Sequence, residues 1–206
     1  MPINKYQFIV TLLKTNPGEL FDVLGSALTT FEYRFIKRCI GKNTIIRQKT
    51  VIRNYANVKI GEGSILQDYV YIRAGVQGSI VLGKGCMVNS FCRIFGHGGI
   101  EIGNYAQLGP GVTITTTDHD YNQSNRSETF KKVTIGSRAW IGANATILPG
   151  VTIGENTVVG AGSIVSKDLP PNVVAVGAPA RVIKEIDVPG NSNNFLHQQE
   201  AVFEQR

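Results

Sequence analysis

Three histidines occur in this chain, His97, His119 and His197. His119 lies in the long polar run from Thr115 to Val133, TTTDHDYNQSNRSETFKKV, with Asp118 and Asp120 on either side. An imidazole suits proton abstraction, because its pKa lies near working pH. His97 stands in a shorter insertion, FGHGGIE, from Phe95 to Glu101. His197 falls in a tail rich in Asn and Gln and is given no chemical role.

Both insertions interrupt a regular repeat. From Val133 to Asp168 the large aliphatic residues Ile135, Ile141, Ile147, Ile153, Val159 and Val165 recur every six positions. The residue two before each is small or β-branched: Val133, Ala139, Ala145, Val151, Thr157 and Ser163. A period of six fits neither a helix nor a free strand, but it fits a short strand followed by a turn. Gly after Ile135, Ile141, Ile153 and Val159 suits such a bend. Fixed self-similarity of this kind is the sign of a solenoid, in which each unit buries its apolar side against its neighbours.

Upstream, the same step runs in sets of three: Ile40, Ile46, Ile52; Ile60, Leu66, Ile72; Leu82, Val88, Ile94; Ile102, Leu108, Ile114. The step lengthens only between sets, most of all between Ile114 and Ile135. If three hexads make one coil, every insertion falls at the same corner of a prism. Stacked coils lie about 4.8 Å apart, so His97 and His119 can share one cleft at that corner.

The repeat, followed by PPNVVAVGAPARVIKEI, resembles the hexapeptide-repeat acyltransferases. The resemblance implies an all-β solenoid, a left-handed parallel β-helix; the handedness comes from the resemblance alone. It also implies acetyl-CoA as acyl donor and a homotrimer with its sites between neighbouring prisms. The segment GPGVTITTTDHD is similar to the family's strand and loop that end in the catalytic histidine, which makes His119 the expected general base. Asn89, in GCMVNSFCRI, stands where galactoside and maltose acetyltransferases carry an asparagine beside the acceptor hydroxyl. Trp140 is similar to the family's aromatic near the catalytic loop. Along the donor channel the resemblance places Ala143 and Ala161, with Ser166, Lys167 and Arg181 towards the phosphates of coenzyme A. Cations suit that end. The sequence departs from the neutral-sugar enzymes at His97, which stands where they carry an acidic acceptor-binding residue, and in the segment before the coils.

That segment, residues 1–38, reads as helical. A first apolar stretch holds Tyr6, Phe8, Ile9, Leu12 and Leu13, and Asn16-Pro17-Gly18-Glu19 has the form of a helix start. Leu20, Leu24, Ala27, Leu28, Phe31 and Phe35 then form one apolar face, expected to cover the open end of the first coil. Residues 39–186 form the β-helix, with its corner loop at 115–133. Residues 187–206 read as a tail.

The net charge is +6. Arg34, Lys37, Arg38, Lys42, Arg47, Lys49, Arg53 and Lys59 follow one another with no acidic residue between Arg34 and Lys59. Such a run suits an acidic glycan, a phosphate-bearing carrier or peripheral contact with an anionic membrane surface, or is simply a solvated face. Nucleic acid is not expected, since no aromatic-interleaved basic motif accompanies the charge. No run of 18 apolar residues occurs, and the opening lacks a small-residue cleavage site. Three cysteines, Cys39, Cys86 and Cys92, argue for a reducing compartment, and a cytoplasmic location is expected.

The reading is an acetyl-CoA-dependent O-acetyltransferase acting on a sugar or polysaccharide of the capsule, O-antigen or exopolysaccharide type. Two alternatives share the coils: an amino-sugar N-acetyltransferase and a serine acetyltransferase. A third is a zinc-dependent carbonic anhydrase-like or purely binding β-helix. Zinc chemistry needs three protein ligands, and His97 and His119 are two, so no metal is expected.

Overall fold

The computed structural model describes residues 17–120 and 127–187. The first apolar stretch, Asn16 and the tail with His197 lie outside the described residues. The coils form a parallel β-helix with three flat faces. One face stacks Val58–Ile60, Ile80–Leu82, Ile100–Ile102, Val133–Ile135 and Thr152–Ile153. The second stacks Ile45–Ile46, Ile65–Leu66, Met87–Val88, Gln107–Leu108, Trp140–Ile141 and Val158–Val159, then closes with the antiparallel pair Val173–Gly177 and Ala180–Glu185. The third stacks Val51–Arg53, Tyr71–Ala74, Arg93–Gly96, Thr113–Thr115, Thr146–Ile147 and Ile164–Val165.

The hexads predict this register residue by residue. Ile60, Leu82, Ile102, Ile135 and Ile153 pair in one line, as do Ile46, Leu66, Val88, Leu108, Ile141 and Val159. These side chains are almost fully buried and form one continuous core. Polar residues at the small inward position are satisfied within the stack: Thr44 donates to Gly61 O at 2.9 Å, Ser64 to Gly83 O at 3.1 Å and Thr157 to Pro170 O at 2.7 Å. A buried hydroxyl that kept no partner would cost about 1–3 kcal/mol.

Two cysteines use the same device. Cys86 Sγ donates to Gly103 O at 3.2 Å and Cys92 Sγ to Gly109 O at 3.1 Å. Burial pushes both thiols up to about 11 from an ordinary 9.0. The folded state therefore favours the protonated thiols; the stability this supplies is full below pH 9 and is lost as pH rises towards 11. We expect iodoacetamide to leave Cys86 and Cys92 unmodified in the native protein at about pH 8, below the ordinary thiol range, and to label both after unfolding. Equal labelling rates in the two states would remove the core assignment of these thiols.

Before the first coil runs the helix Pro17–Phe31, which passes into a short π-helical turn at Glu32–Ile36. It caps the coil, as expected, but not with the expected face. Leu24, Leu28, Phe31 and Phe35 are exposed, and Ser26, Thr30 and Tyr33 turn inward instead. Thr30 Oγ1 accepts from Ile46 N at 2.8 Å, Tyr33 Oη accepts from Ile52 N at 3.0 Å, and Arg34 Nη2 donates to Thr44 O at 2.7 Å. The reason is the nature of a solenoid's end. It presents unpaired N–H and C=O groups as well as apolar side chains, and those groups require polar partners.

The basic run does not form one free patch either. Lys37 pairs with Glu32 at 2.7 Å, Arg34 turns to the first coil, and Lys49 Nζ donates to Tyr69 Oη at 2.6 Å. No helix among the described residues is long and apolar enough to cross a membrane.

Candidate functional site

The chain lengthens between the third face and the first in four coils, at 54–57, 75–79, 97–99 and 116–132. All four stretches therefore lie on one edge of the prism, as the six-residue step predicts. The longest of them rises from this edge as a two-stranded arm, Thr117–His119 antiparallel to Glu128–Phe130.

Thr116 roots the arm. Its fully buried hydroxyl donates to Phe95 O at 3.0 Å and accepts from Gly98 N at 2.8 Å, which ties the arm to the loop holding His97. Backbone bonds Lys131 N to Thr116 O and Asp120 N to Ser127 O bracket the ladder. The pairs Thr117 with Phe130 and His119 with Glu128 fall between them, at the sites where side chains approach most closely. Thr117, His119, Glu128 and Phe130 thus share one side of the arm, because alternate residues of a strand face the same way.

His97 packs on that side. Its Nδ1 lies 3.1 Å from Thr117 Oγ1, and its ring meets Phe130 edge-on at 5.9 Å. The two histidines therefore serve one surface. His119 is exposed, its backbone N–H donates to Asp118 Oδ1 at 2.9 Å, and Glu128 stands opposite it. Glu128, Thr116 and Thr117 escape a reading of the sequence, since cross-strand partners follow from the register of a hairpin whose ends the repeat does not mark.

Asn89 lies elsewhere. It occupies the edge between the second and third faces, and the strand Arg93–Gly96, about 13 Å of extended chain, separates that edge from the arm. Asn89 Nδ2 donates to Leu108 O at 2.9 Å, which leaves Oδ1 to accept from a hydroxyl. Above it on the same edge come Gly109, Ala143 and Ala161 in successive coils. A Cβ on Gly142 would lie 2.5 Å from Ala161 N, so the backbone here is closely stacked and presents a shallow, small-residue channel. Trp140 is exposed on the adjoining second face, in register with Gln107 and Val158.

The expected phosphate partners are divided in the same way. Ser166 and Lys167 are exposed on the arm's edge, after Ile164–Val165. Arg181 is exposed in the last strand of the second face, opposite Val176. Within one chain, then, His97, His119, Ser166 and Lys167 gather on one edge, whereas Asn89, Ala143, Ala161, Trp140 and Arg181 gather on or beside another. Among the described residues no group of three His, Cys, Asp or Glu side chains is placed to hold a metal ion.

Residues 132–167 match the family model described as bacterial transferase hexapeptide (six repeats). The chain is 41% identical over 131 residues to a galactoside O-acetyltransferase of Escherichia coli and 39% identical over 132 residues to one of Lactococcus lactis. These matches cover 62% and 63% of this chain and 64% and 63% of the relatives, so the chain spans less than two thirds of their length. Among solved structures it is similar to AntD, an N-acyltransferase from Bacillus cereus, in complex with dTDP and 3-hydroxybutyryl-CoA, with a TM-score of 0.70 at 22% identity over 85% of this chain and 95% of that one. A second AntD structure, a point mutant with dTDP-4-amino-4,6-dideoxyglucose and coenzyme A, gives a TM-score of 0.68 at 24% identity, covering 81% of this chain and 90% of that one. This likeness shows the fold, a left-handed parallel β-helix.

Proposed function

We propose that this chain, whose residues 132–167 match the hexapeptide transferase model, is an acetyl-CoA-dependent O-acetyltransferase that acts on a sugar hydroxyl and works as a homotrimer. The observation that carries the reading is the division of one set of chemically apt residues over two edges of the prism. A second copy that lays its arm against the edge bearing Asn89 brings His119 to Asn89. It also brings Lys167 to the channel that runs past Ala143 and Ala161 towards Arg181. Head-to-tail contacts of this kind close into a ring when the rotation fits, and a three-sided prism offers each copy one donating and one receiving edge.

At such a junction His119 takes the proton of the acceptor hydroxyl and the oxygen attacks the thioester carbonyl. The C–O bond forms, the C–S bond breaks, and the proton passes from His119 to the departing sulfur, so the products are the acetyl ester and coenzyme A. Asn89 Oδ1 accepts from the hydroxyl before transfer and so aims it. Glu128, opposite His119 on the same side of the arm, is placed to orient the imidazole. Backbone N–H groups at the edge supply the donors that such a tetrahedral oxyanion needs. His97 stands on the acceptor side of the arm, and the polysaccharide acceptors named above fit an exposed, open site. The galactoside O-acetyltransferase names of the relatives support a sugar acceptor.

Calorimetric titration of acetyl-CoA tests the donor half. We expect saturable binding that a Lys167→Ala, Arg181→Ala variant weakens about tenfold or more, the scale of losing charge-assisted phosphate contacts. Absence of binding by the folded protein would overturn the reading. Hydroxyl and amino sugars assayed side by side then separate O- from N-acetylation.

A further inference from the structure

The third face spans the prism from the edge of Asn89 to the edge of the arm, and its charge has one sign. None of its six strands contains an acidic residue. Three of them carry an arginine, Arg53, Arg73 and Arg93, and all three side chains are exposed. Arg53 and Arg73 are direct cross-strand partners, in strands about 4.8 Å apart. Like charges so placed repel and weaken a sheet. Among the described residues none of the three arginines makes a side-chain hydrogen bond or an ion pair, since the ion pairs use Lys37, Lys131, Lys132 and Arg138 instead.

The strand register fixes where these side chains stand. Tyr71 pairs with Arg93 and Arg73 with Phe95, so the four residues form a square on the outer surface of the face. Tyr71 and Phe95 are half-buried, and their rings meet across one diagonal, with centroids 5.8 Å apart and planes at 48°. The ring pair fills the middle of the square and leaves Arg73 and Arg93 at the other two corners. Arg53 stands one coil nearer the helix than Arg73, and Thr115 lies beyond Phe95 at the root of the arm. The strand N–H groups here are taken up by the ladder, so the face offers an anion chiefly planar forks of donors around an apolar floor. Such forks match carboxylates, two parallel N–H···O bonds at a time. Nothing in acyl transfer itself uses them.

We propose that the third face binds the carboxylate-bearing sugars of an acidic acceptor glycan, so that the unit next to them reaches the arm. The inference rests on the acyltransferase reading for the reaction at the arm, and on the arginines for the rest. Coils repeat about every 4.8 Å, close to the advance of one pyranose along an extended glycan, so a chain running along the prism presents its charges to successive coils. A free phosphate or a single sugar acid engages one corner only. The row Arg53, Arg73, Phe95, Thr115 leads coil by coil to the arm. Phe95, opposite Arg73, lies two residues before His97, so a carboxylate held by Arg73 sets its neighbouring sugar beside His97. The face thereby selects acidic over neutral glycans.

The test uses Arg53→Gln, Arg73→Gln and Arg93→Gln, which remove the charge and keep most of the aliphatic stem; relief of like-charge repulsion leaves the melting temperature unchanged or raised, which checks the fold. The probes are penta-galacturonate, penta-mannuronate and penta-sialate, each beside its monomer, in calorimetric titrations. β-1,4-Galactopentaose is the neutral control and inorganic phosphate the simple anion. We expect one acidic pentamer to bind saturably, one per chain, and Arg73→Gln and Arg93→Gln each to weaken it about tenfold, the scale of one charge-assisted contact. With acetyl-CoA present, the ratio of kcat/KM for that pentamer to that for galactopentaose should fall to a similar extent. Equal affinity in wild type and variants, no binding by any acidic pentamer, or one pentamer bound per three chains overturns the subsite. So does phosphate or a monomer that binds as tightly as the pentamer. Arginine-dependent binding without acetyl transfer to any sugar would instead overturn the acyltransferase reading and leave the subsite standing. Transfer with no preference for acidic over neutral acceptors would do the reverse.

Discussion

Replacing His119 by alanine should lower the turnover of acetyl transfer by about two to four orders of magnitude, the usual contribution of a general base, without moving the melting temperature. The second half of that expectation comes from where the residue sits. His119 is on an arm outside the coil stack, its side chain is exposed, and the arm is held by backbone pairing and by the Thr116 hydroxyl. Truncating an exposed side chain on this arm opens no cavity in the core, so the commonest route to a large loss of stability does not apply. Steady-state assays with acetyl-CoA and the best acceptor, together with a thermal melt, give both numbers. A folded His119→Ala protein with the wild-type rate would sink the mechanism. Under the same mechanism, loss of kcat with little change in the KM for acetyl-CoA is expected, because the imidazole acts in the transition state and not on the bound donor.

Mixing two inactive proteins should restore activity. If the arm of one copy meets the Asn89 edge of the next, a trimer assembled from His119→Ala and Asn89→Ala subunits contains some junctions in which both residues are native. After equal mixing through an unfolding and refolding step, about a quarter of junctions are of this kind, by random choice of each side in a cyclic assembly. Recovery to about a quarter of the wild-type rate is the expected outcome, a gain of tenfold or more over the His119→Ala parent given the size of a general-base contribution. The measurement is the rate per subunit, with the assembly state read by light scattering. Recovery no greater than the mean of the two parents would show that each site is built within one chain. The expectation rests on the two residues' positions on separate edges and is independent of which sugar is modified.

The value of the sequence differed from element to element. Every hexad from Ile40 to Val165 could be set in register before any coordinates, because a coil contacts only the coils beside it and the inward residue of each strand repeats at a fixed interval. The shared corner of the insertions followed from the same arithmetic, and with it the meeting of His97 and His119 on one surface. The helix was half legible. Its existence followed from the spacing of Leu20 to Phe35, but its inward face did not, since apolar periodicity is blind to the unpaired backbone groups that Thr30 and Tyr33 satisfy. Glu128 opposite His119 was also invisible, because it depends on the register of a hairpin that composition does not encode.

By itself, then, the amino-acid sequence determined the solenoid, its phase, the edge that carries the arm and the chemical types available there. Those are properties of local repetition, in which each residue's environment is set by neighbours one coil away. Only the tertiary structure decided how far apart those edges stand, and so that one chain divides the chemistry between the arm of His119 and the channel of Asn89. A six-residue period counts positions along a coil, whereas convergence of side chains depends on how three faces turn about a common axis.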